Sequence, residues 1–412
     1  MKMPDVFDAR SMQALLVALD AAVKSGDRTK ALELEREILQ RSALLASNST
    51  AVEQQVRALR IELDSRQDIP DELSLDDLSL ERSANTQGFV YPVWFGTNRR
   101  PQGKGFTGQR HNLVTYGRAL VHVPKAHRFG EIGSSFFKRL MRLDLRNDRL
   151  RLQTVDSLTP DSFFQQIRAQ MAEARVDGDE VHALVFLHGY NVTFEEAAIR
   201  AAQLGVDLNV SGATAFFSWP SRGSVSGYLA DEASIEASEA AITDFLLKFS
   251  ARCGADKLHI IAHSMGNRGF LRALQRVTAN AETRGKVKFG QIFLAAPDVD
   301  RDLFLDLSYL YTEHAERVTL YASDADKAVH LSAKIHDSPR AGYFAPYTVT
   351  DSVDTVTVPD FDVDLLGHGY FSQAEALLSD IHGLIRKDTP PSRRLRMIAE
   401  ASDGRPFWRL RL

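Results

Sequence analysis

Apolar positions along the chain follow two rhythms, one purely helical and one in which short apolar runs alternate with helices. Met12, Leu15, Leu16, Leu19, Ala22 and Val23 recur at the spacing of one helix face. Ser25-Gly26-Asp27 breaks that pattern, and Ala31, Leu34, Ile38 and Leu45 resume it. Val52, Val56, Leu59 and Leu63 predict a third helix. No repeat of fixed period is visible, so residues 1–68 read as a helical hairpin or short bundle. Such a head serves either self-association and partner binding or simple capping of the next domain. Residues 69–88 are acidic and Ser-rich, with Pro70, and read as a linker.

Beyond the linker the period changes. FVYPVWFG (89–96) and ALVHV (119–123) predict strands, and RLDLRNDRLRLQTV (142–155) predicts a hairpin around Asn147-Asp148. A helix is expected over Ser162–Ala174. Then VHALVFL (181–187), ATAFFSW (213–219), Leu258–Ala262, Gln291–Ala295 and Arg317–Ala322 form short apolar runs. Helical patterns follow the first three, over Thr193–Leu204, Glu232–Phe249 and Arg268–Thr278. Apolar runs alternating with helices predict an α/β fold, a mostly parallel sheet covered on both faces. In such sheets ligands bind beyond the carboxyl ends of the strands.

Composition narrows the class. Apolar residues make up 44% and charged residues 25%, ordinary for a globular protein. A formal charge of −4 gives no reason to expect nucleic acid as a partner. No apolar run approaches the roughly 18 residues of a membrane span. MKMPDVFDARSM lacks the apolar core of a signal peptide. The single cysteine, Cys253, cannot form an internal disulfide, which fits a reducing cytoplasm and argues against a thiolate zinc site. Residues 1–82 carry 11 Lys/Arg against 16 Asp/Glu, and residues 386–412 carry 8 against 3. The acidic head and basic tail (388–412) read as solvated surface or as partner contacts.

Within this frame LHIIAHSMGN (258–267) stands out. A strand runs into Ala262-His263-Ser264-Met265-Gly266, and a helix comes after it. A nucleophile elbow reads G-x-S-x-G, because strand and helix approach closely around a strained serine. Here Ala262 replaces the first glycine, at the expense of one methyl. Ser264 is therefore a candidate nucleophile, the alternative being a helix N-cap. A serine needs a base and a group that orients it, in the chain order Ser, acid, His. His330, His336, His368 and His382 come after Ser264. His368, in the Gly-flanked turn DLLGHGYF, is the favoured base. Asp324 and Asp326 follow the strand Arg317–Ala322, Asp298 and Asp300 the strand before it. Residue chemistry alone leaves Asp324 and Asp326 level.

The segments PVWFGTNR, GRALVHVPKAH, VFLHGYN, FSWPSRG, HIIAHSMGNR, LAAPDVDRD, LYASDADKAV, SPRAGY and LLGHGYF together resemble the α/β-hydrolase superfamily. Within it the chain is similar to a bacterial esterase/lipase-like group designated DUF900. The resemblance runs from about Phe89 to Lys387, leaves residues 1–68 uncovered and supplies no substrate. It implies an α/β-hydrolase catalytic domain over 89–387 with an N-terminal helical extension, Ser264 as nucleophile and His368 as base. It tips the acid toward Asp326, through the match to Ser323–Val329. One oxyanion donor is expected from the Met265 N–H, the other from the loop HGYN, with Tyr190 the candidate. The Tyr190 side chain alternatively lines the acyl pocket, Asn191 braces the loop, and Trp219 and Pro220 either wall the pocket or pack the sheet edge.

The expectation is a cytoplasmic serine hydrolase acting on small carboxylic esters of short to medium chain, with no cofactor or metal. Amide, thioester or phospholipid cleavage by the same triad is one alternative. An adaptor or partner-gated effector, whose helical head carries the interaction, is another. RGSVSGYLADEA (222–233) is the lid candidate and is polar for a lipid enzyme.

Overall fold

A computed structural model describes residues 88–124, 127, 150–175, 179–223, 227–324, 327–351, 353–358 and 371–411, with isolated positions between 15 and 38. Chain contacts divide the protein into two units, one of residues 1–86, 135–146 and 224–228, the other of the remainder. In the first unit the described positions between 15 and 38 are helical on either side of Asp27. Leu19, Ala22, Leu34 and Ile38 are buried, matching two of the predicted helix faces. Asp27 opens the second run, its carboxylate accepting the Lys30 N–H at 3.1 Å. The third predicted helix, residues 69–87 of the linker and the first arm of the 142–155 hairpin lie outside the described residues.

The second unit is built on an eleven-stranded mixed sheet. Its strands are β1 (Phe89–Gln102), β2 (Gly105–Val123), β3 (Arg151–Leu158), β4 (His182–Leu187), β5 (Thr214–Ser218), β6 (Lys257–His263), β7 (Phe289–Ala295), β8 (Ala315–Ala322), β9 (Asp354–Thr357), β10 (Met397–Ser402) and β11 (Arg405–Leu410). The order is β10-β11-β9-β8-β7-β6-β4-β5-β1-β2-β3. Strands from β11 across to β1 run parallel, and β10 and β2 pair antiparallel at the two ends of that set. The central strands are apolar on both faces because helices cover both. From β4 the chain steps one way to β5 and returns to the other side of β4 as β6. That reversal opens a crevice between the loops leaving β4 and β6, where ligands of open α/β sheets bind.

The helices are α1 (Pro160–Ala174), α2 (Phe194–Asp207), α3 (Tyr228–Ala237), α4 (Glu239–Arg252), α5 (Gly266–Ala279), α6 (Arg301–Leu307), α7 (Tyr309–His314), α8 (Lys327–His336) and α9 (Phe371–Arg386). Thr193 and Glu196 close a capping box at the start of α2. The pattern expected as one helix from Glu232 to Phe249 is instead two, α3 and α4. The Ser238 hydroxyl donates to the Ser234 carbonyl at 2.7 Å and accepts from Asn98 Nδ2 at 2.9 Å, breaking the helix between them.

Residues 397–410, inside the basic C-terminal stretch, form a hairpin that extends the sheet through β11 and β9. Asp403-Gly404 turns it with φ of 51° and 77°, the two positive values of a tight hairpin turn. Arg394 is not solvated surface: it is buried, 2.5 Å from Asp354 and 3.5 Å from Asp380.

Candidate active site

Ser264 sits between β6 and α5 with φ of 47°, a left-handed conformation costing a non-glycine residue about 1–2 kcal/mol. The surroundings fix it there. Its N–H donates to the Ala295 carbonyl at 2.9 Å. Its carbonyl accepts from the N–H groups of Asn267 (3.1 Å) and Asp298 (3.2 Å) and from Asn267 Nδ2 (3.0 Å). Asn267, fully buried, also donates to the Ala262 carbonyl at 2.9 Å. Strain held by such over-determination is a mark of functional positions. Ala262 fits because its methyl is buried in the sheet. Gly266 has no such room: a Cβ there would lie 2.6 Å from the His188 oxygen and 2.7 Å from the Leu187 oxygen.

The loop after β4, His188–Val192, lies against this elbow. A Cβ on Gly189 would be 3.1 Å from the Ser264 Cβ and 3.0 Å from His263 Nδ1. The loop's backbone is held by buried side chains. Trp219 Nε1 donates to the His188 carbonyl at 2.9 Å, and its ring stacks on the imidazole at 5.0 Å. His188 Nδ1 bonds the Gly189 carbonyl at 2.8 Å, which makes Nε2 the acceptor of the Ser218 hydroxyl at 3.3 Å. Burial first, and then the Arg99 charge, push His188 well below the usual imidazole range, so this tautomer stays neutral.

Arg99 and Asp231 complete the frame. Arg99 donates from Nε to the Ser218 hydroxyl (2.8 Å), from Nη1 to the Ser221 carbonyl (2.9 Å) and from Nη2 to the Val192 carbonyl (2.7 Å). Burial pulls it down to about 9 while Asp231 and Glu196 oppose that, so it is charged at neutral pH. Asp231, fully buried, accepts the N–H groups of Asn191 (3.0 Å) and Arg222 (2.7 Å) and the Ser221 hydroxyl (2.6 Å). Ser221 in turn accepts the Val192 N–H at 3.0 Å. Asn191, with φ of 56°, is thus braced through its own backbone. Residues 228–233 of the expected lid lie in α3, and Trp219, fully buried, packs the sheet end.

A second group of charges lines the other side of the elbow. Arg268, in the first turn of α5, donates from Nε to the Asp298 carbonyl and approaches the Asp298 carboxylate at 3.2 Å. It also pairs with Glu232, which His336 Nε2 meets at 2.9 Å. Burial pushes the Glu232 carboxyl up, but Arg268 and His336 outweigh it and hold it below the ordinary range. Asp298 is buried among Arg268, Ser332 and Arg340, and Asp300 caps α6, so both work in the framework.

Of the expected site residues, the structure brings Ser264, Met265 and the Tyr190 loop together. Met265 is fully buried at the helix start, and its N–H makes no hydrogen bond among the described residues. Asp324 lies just past β8 and is exposed. Asp326 and His368 lie outside the described residues. The described histidines after Ser264 have other contacts. His314 bonds Val287 and Thr278, His330 faces the Tyr343 ring at 5.0 Å, His336 meets Glu232, and His382 bonds the Leu208 carbonyl at 2.8 Å. Among the described residues no three His, Cys, Asp or Glu side chains are grouped to hold a metal ion. No described helix is long and apolar enough to cross a membrane. Arg99 and Asn267 carry no role of their own in the sequence pattern, and Asp231 and Glu232 appear there as part of the lid candidate 222–233. Only the side-by-side packing of β1, β4, β5 and β6 gathers them.

The pattern of the family described as "Alpha/beta hydrolase of unknown function (DUF900)" matches residues 165–387, more than half of the chain. No curated protein matches. Among solved structures, the chain is similar to an uncharacterized protein from Bacillus cereus ATCC 10987, at 14% identity and a TM-score of 0.34, over 56% of this chain and 71% of that one. It is also similar to a hydrolase-like protein from Agrobacterium vitis S4, at 14% identity and a TM-score of 0.31, over 73% of this chain and 98% of that one.

Proposed function

The chain belongs to the α/β-hydrolase family of unknown function, DUF900, and from that premise we propose that it is a serine hydrolase that cleaves carboxylic esters through Ser264. The observation that carries this reading is the strained Ser264 backbone at a strand-to-helix turn, with Gly189 packed against its side chain.

The chemistry starts from what a serine hydroxyl lacks. His368 removes the Ser264 proton as the oxygen attacks the ester carbonyl, and Asp326 fixes the imidazole tautomer and stabilises the imidazolium. The oxyanion forms beside the start of α5, where the Met265 N–H and the helix dipole favour negative charge, with the Tyr190 N–H opposite. His368 then protonates the leaving alcohol. Water, deprotonated by the same base, attacks the acyl-enzyme and releases the acid and free Ser264. His188, held neutral by burial well below the usual imidazole range, is too weak a base to compete with His368 for the proton.

Carboxylic esters of short to medium chain are the preferred substrates because ester hydrolysis is the commonest chemistry on this scaffold, an argument by analogy. Matched p-nitrophenyl esters from acetate to laurate, a p-nitroanilide and a thioester test it. Turnover of the esters above the other two supports the reading. Preference for the anilide or thioester replaces it with amidase or thioesterase chemistry on the same triad.

A further inference from the structure

Two adjacent acidic residues of α3 reach the two sides of the elbow. Asp231 holds the loop that carries Tyr190, through the Asn191 N–H directly and the Val192 N–H by way of Ser221. Glu232 holds Arg268, three residues beyond Met265 in the first turn of α5. Arg268 in turn grips Asp298, whose N–H donates to the Ser264 carbonyl.

A buried carboxylate opposite a buried guanidinium is a poor way to gain stability. Desolvation of the two charges offsets most of their attraction, and apolar residues of similar volume often serve as well. What Asp231 and Arg99 do achieve is directional. Between them and their neighbours they engage the carbonyls of His188, Gly189 and Val192 and the N–H groups of Asn191 and Val192. An oxyanion donor gains its effect from being aimed before the charge develops, and a misplacement of about 1 Å costs about a hundredfold.

We propose that Asp231 and Glu232 are a positioning pair: one sets the loop wall and the other the helix wall of the oxyanion hole, so that α3 fixes the distance between the Tyr190 and Met265 donors. Neither residue touches substrate. Asp231 acts through Asn191 and Ser221, and Glu232 through Arg268. The pair has this role only if Ser264 is the nucleophile, as proposed above.

The test uses the full chain as wild type, D231N, E232Q, the double variant and S221A. Ser221→Ala keeps both charges and removes only the hydroxyl relay to Val192. Five quantities are read: fluorophosphonate labelling, kcat and KM on p-nitrophenyl acetate, Ki of a trifluoromethyl ketone that mimics the tetrahedral oxyanion, and Tm. The single variants should lose about tenfold to a hundredfold in kcat with KM within about twofold. The ketone Ki should rise in step with the loss of kcat/KM. Each wall matters only against the other, so the double variant should lose less than the product of the singles. Folded variants that keep wild-type kcat, or lose kcat with an unchanged ketone Ki, overturn the positioning role. If D231N does not fold, E232Q and S221A decide by the same criteria. An unlabelled, inactive wild type is a different failure, that of the nucleophile itself.

Discussion

The start of α5 is packed tightly against the end of β4 at Gly266, and replacing it with alanine probes that contact directly. The added Cβ would sit 2.6 Å from the His188 oxygen and 2.7 Å from the Leu187 oxygen. Both are backbone atoms at the end of β4, which is paired on either side with β5 and β6, so neither can swing away as a side-chain tip would. A carbon and a carbonyl oxygen rest at about 3.3–3.6 Å, so α5 and β4 must part by roughly 0.7 Å. Overpacking of this kind costs about 1–3 kcal/mol. The stiffer unfolded chain offsets about 0.4–1 kcal/mol of that. The net loss of about 1–2 kcal/mol lowers Tm by a few degrees at about 2–4 °C per kcal/mol. On the proposed mechanism activity suffers more, because the parting falls between the two proposed oxyanion donors, and a displacement on that scale costs about tenfold or more in kcat. Gly383 is the matched control. It lies in α9 with no atom within 4 Å of its added Cβ, so Gly383→Ala should stabilise by about 0.5–1 kcal/mol and leave turnover unchanged. Calorimetry and p-nitrophenyl acetate turnover read both variants. A Gly266→Ala protein with wild-type Tm and kcat, or shifts of the same sign at both positions, refutes the reasoning.

Two further predictions concern charge. Asp326→Asn should reduce kcat far more than Asp324→Asn, measured on the same ester, and the reverse ranking would move the acid to Asp324. The sheet should also lose stability in mild acid. The Gln291 N–H donates to His259 Nδ1 at 3.1 Å, so His259 carries its proton on Nε2, which bonds His182 at 2.8 Å. Burial first, then His182 and Lys257, pull His259 down to about 3, and His188 is also depressed by burial. Both fold neutral, while the unfolded chain binds protons near pH 6.5, so the unfolded state holds more protons below that value. Their contribution is complete above about pH 6.5 and falls by up to about 1.4 kcal/mol per pH unit per histidine as pH drops toward 3. Urea midpoints at pH 7 and pH 5 measure it. The His259→Gln protein should show a shallower dependence, and an equal slope in both proteins contradicts the assignment.

Much of the sheet and the elbow was legible because the signals are local. A buried parallel strand is an apolar run, and VHALVFL and LHIIA appear as β4 and β6 at nearly the expected bounds. The break at Ser238 was not legible, because it depends on a hydrogen bond from Asn98, 140 positions away. The C-terminal hairpin carried a readable cue in Asp403-Gly404, but the surrounding arginines suggested solvated surface. Arg394 is buried where Asp354 and Asp380 face it from β9 and α9. Ser264 was legible from the small residues around it. The roles of Asp231 and Arg99 were not, since each depends on partners far along the chain: Arg99 on Val192 and Ser221, Asp231 on Asn191. Their meaning comes from the loop they hold, which leaves β4 and is gripped by side chains from β1 and α3.

The most direct test of the central claim, that Ser264 is an activated nucleophile, is covalent labelling of wild type beside Ser264→Ala with a fluorophosphonate, read by intact mass and peptide mapping. The predicted result is one adduct on wild type, mapped to Ser264, and none on the folded variant. An unlabelled wild type, or an adduct that persists in Ser264→Ala, contradicts it.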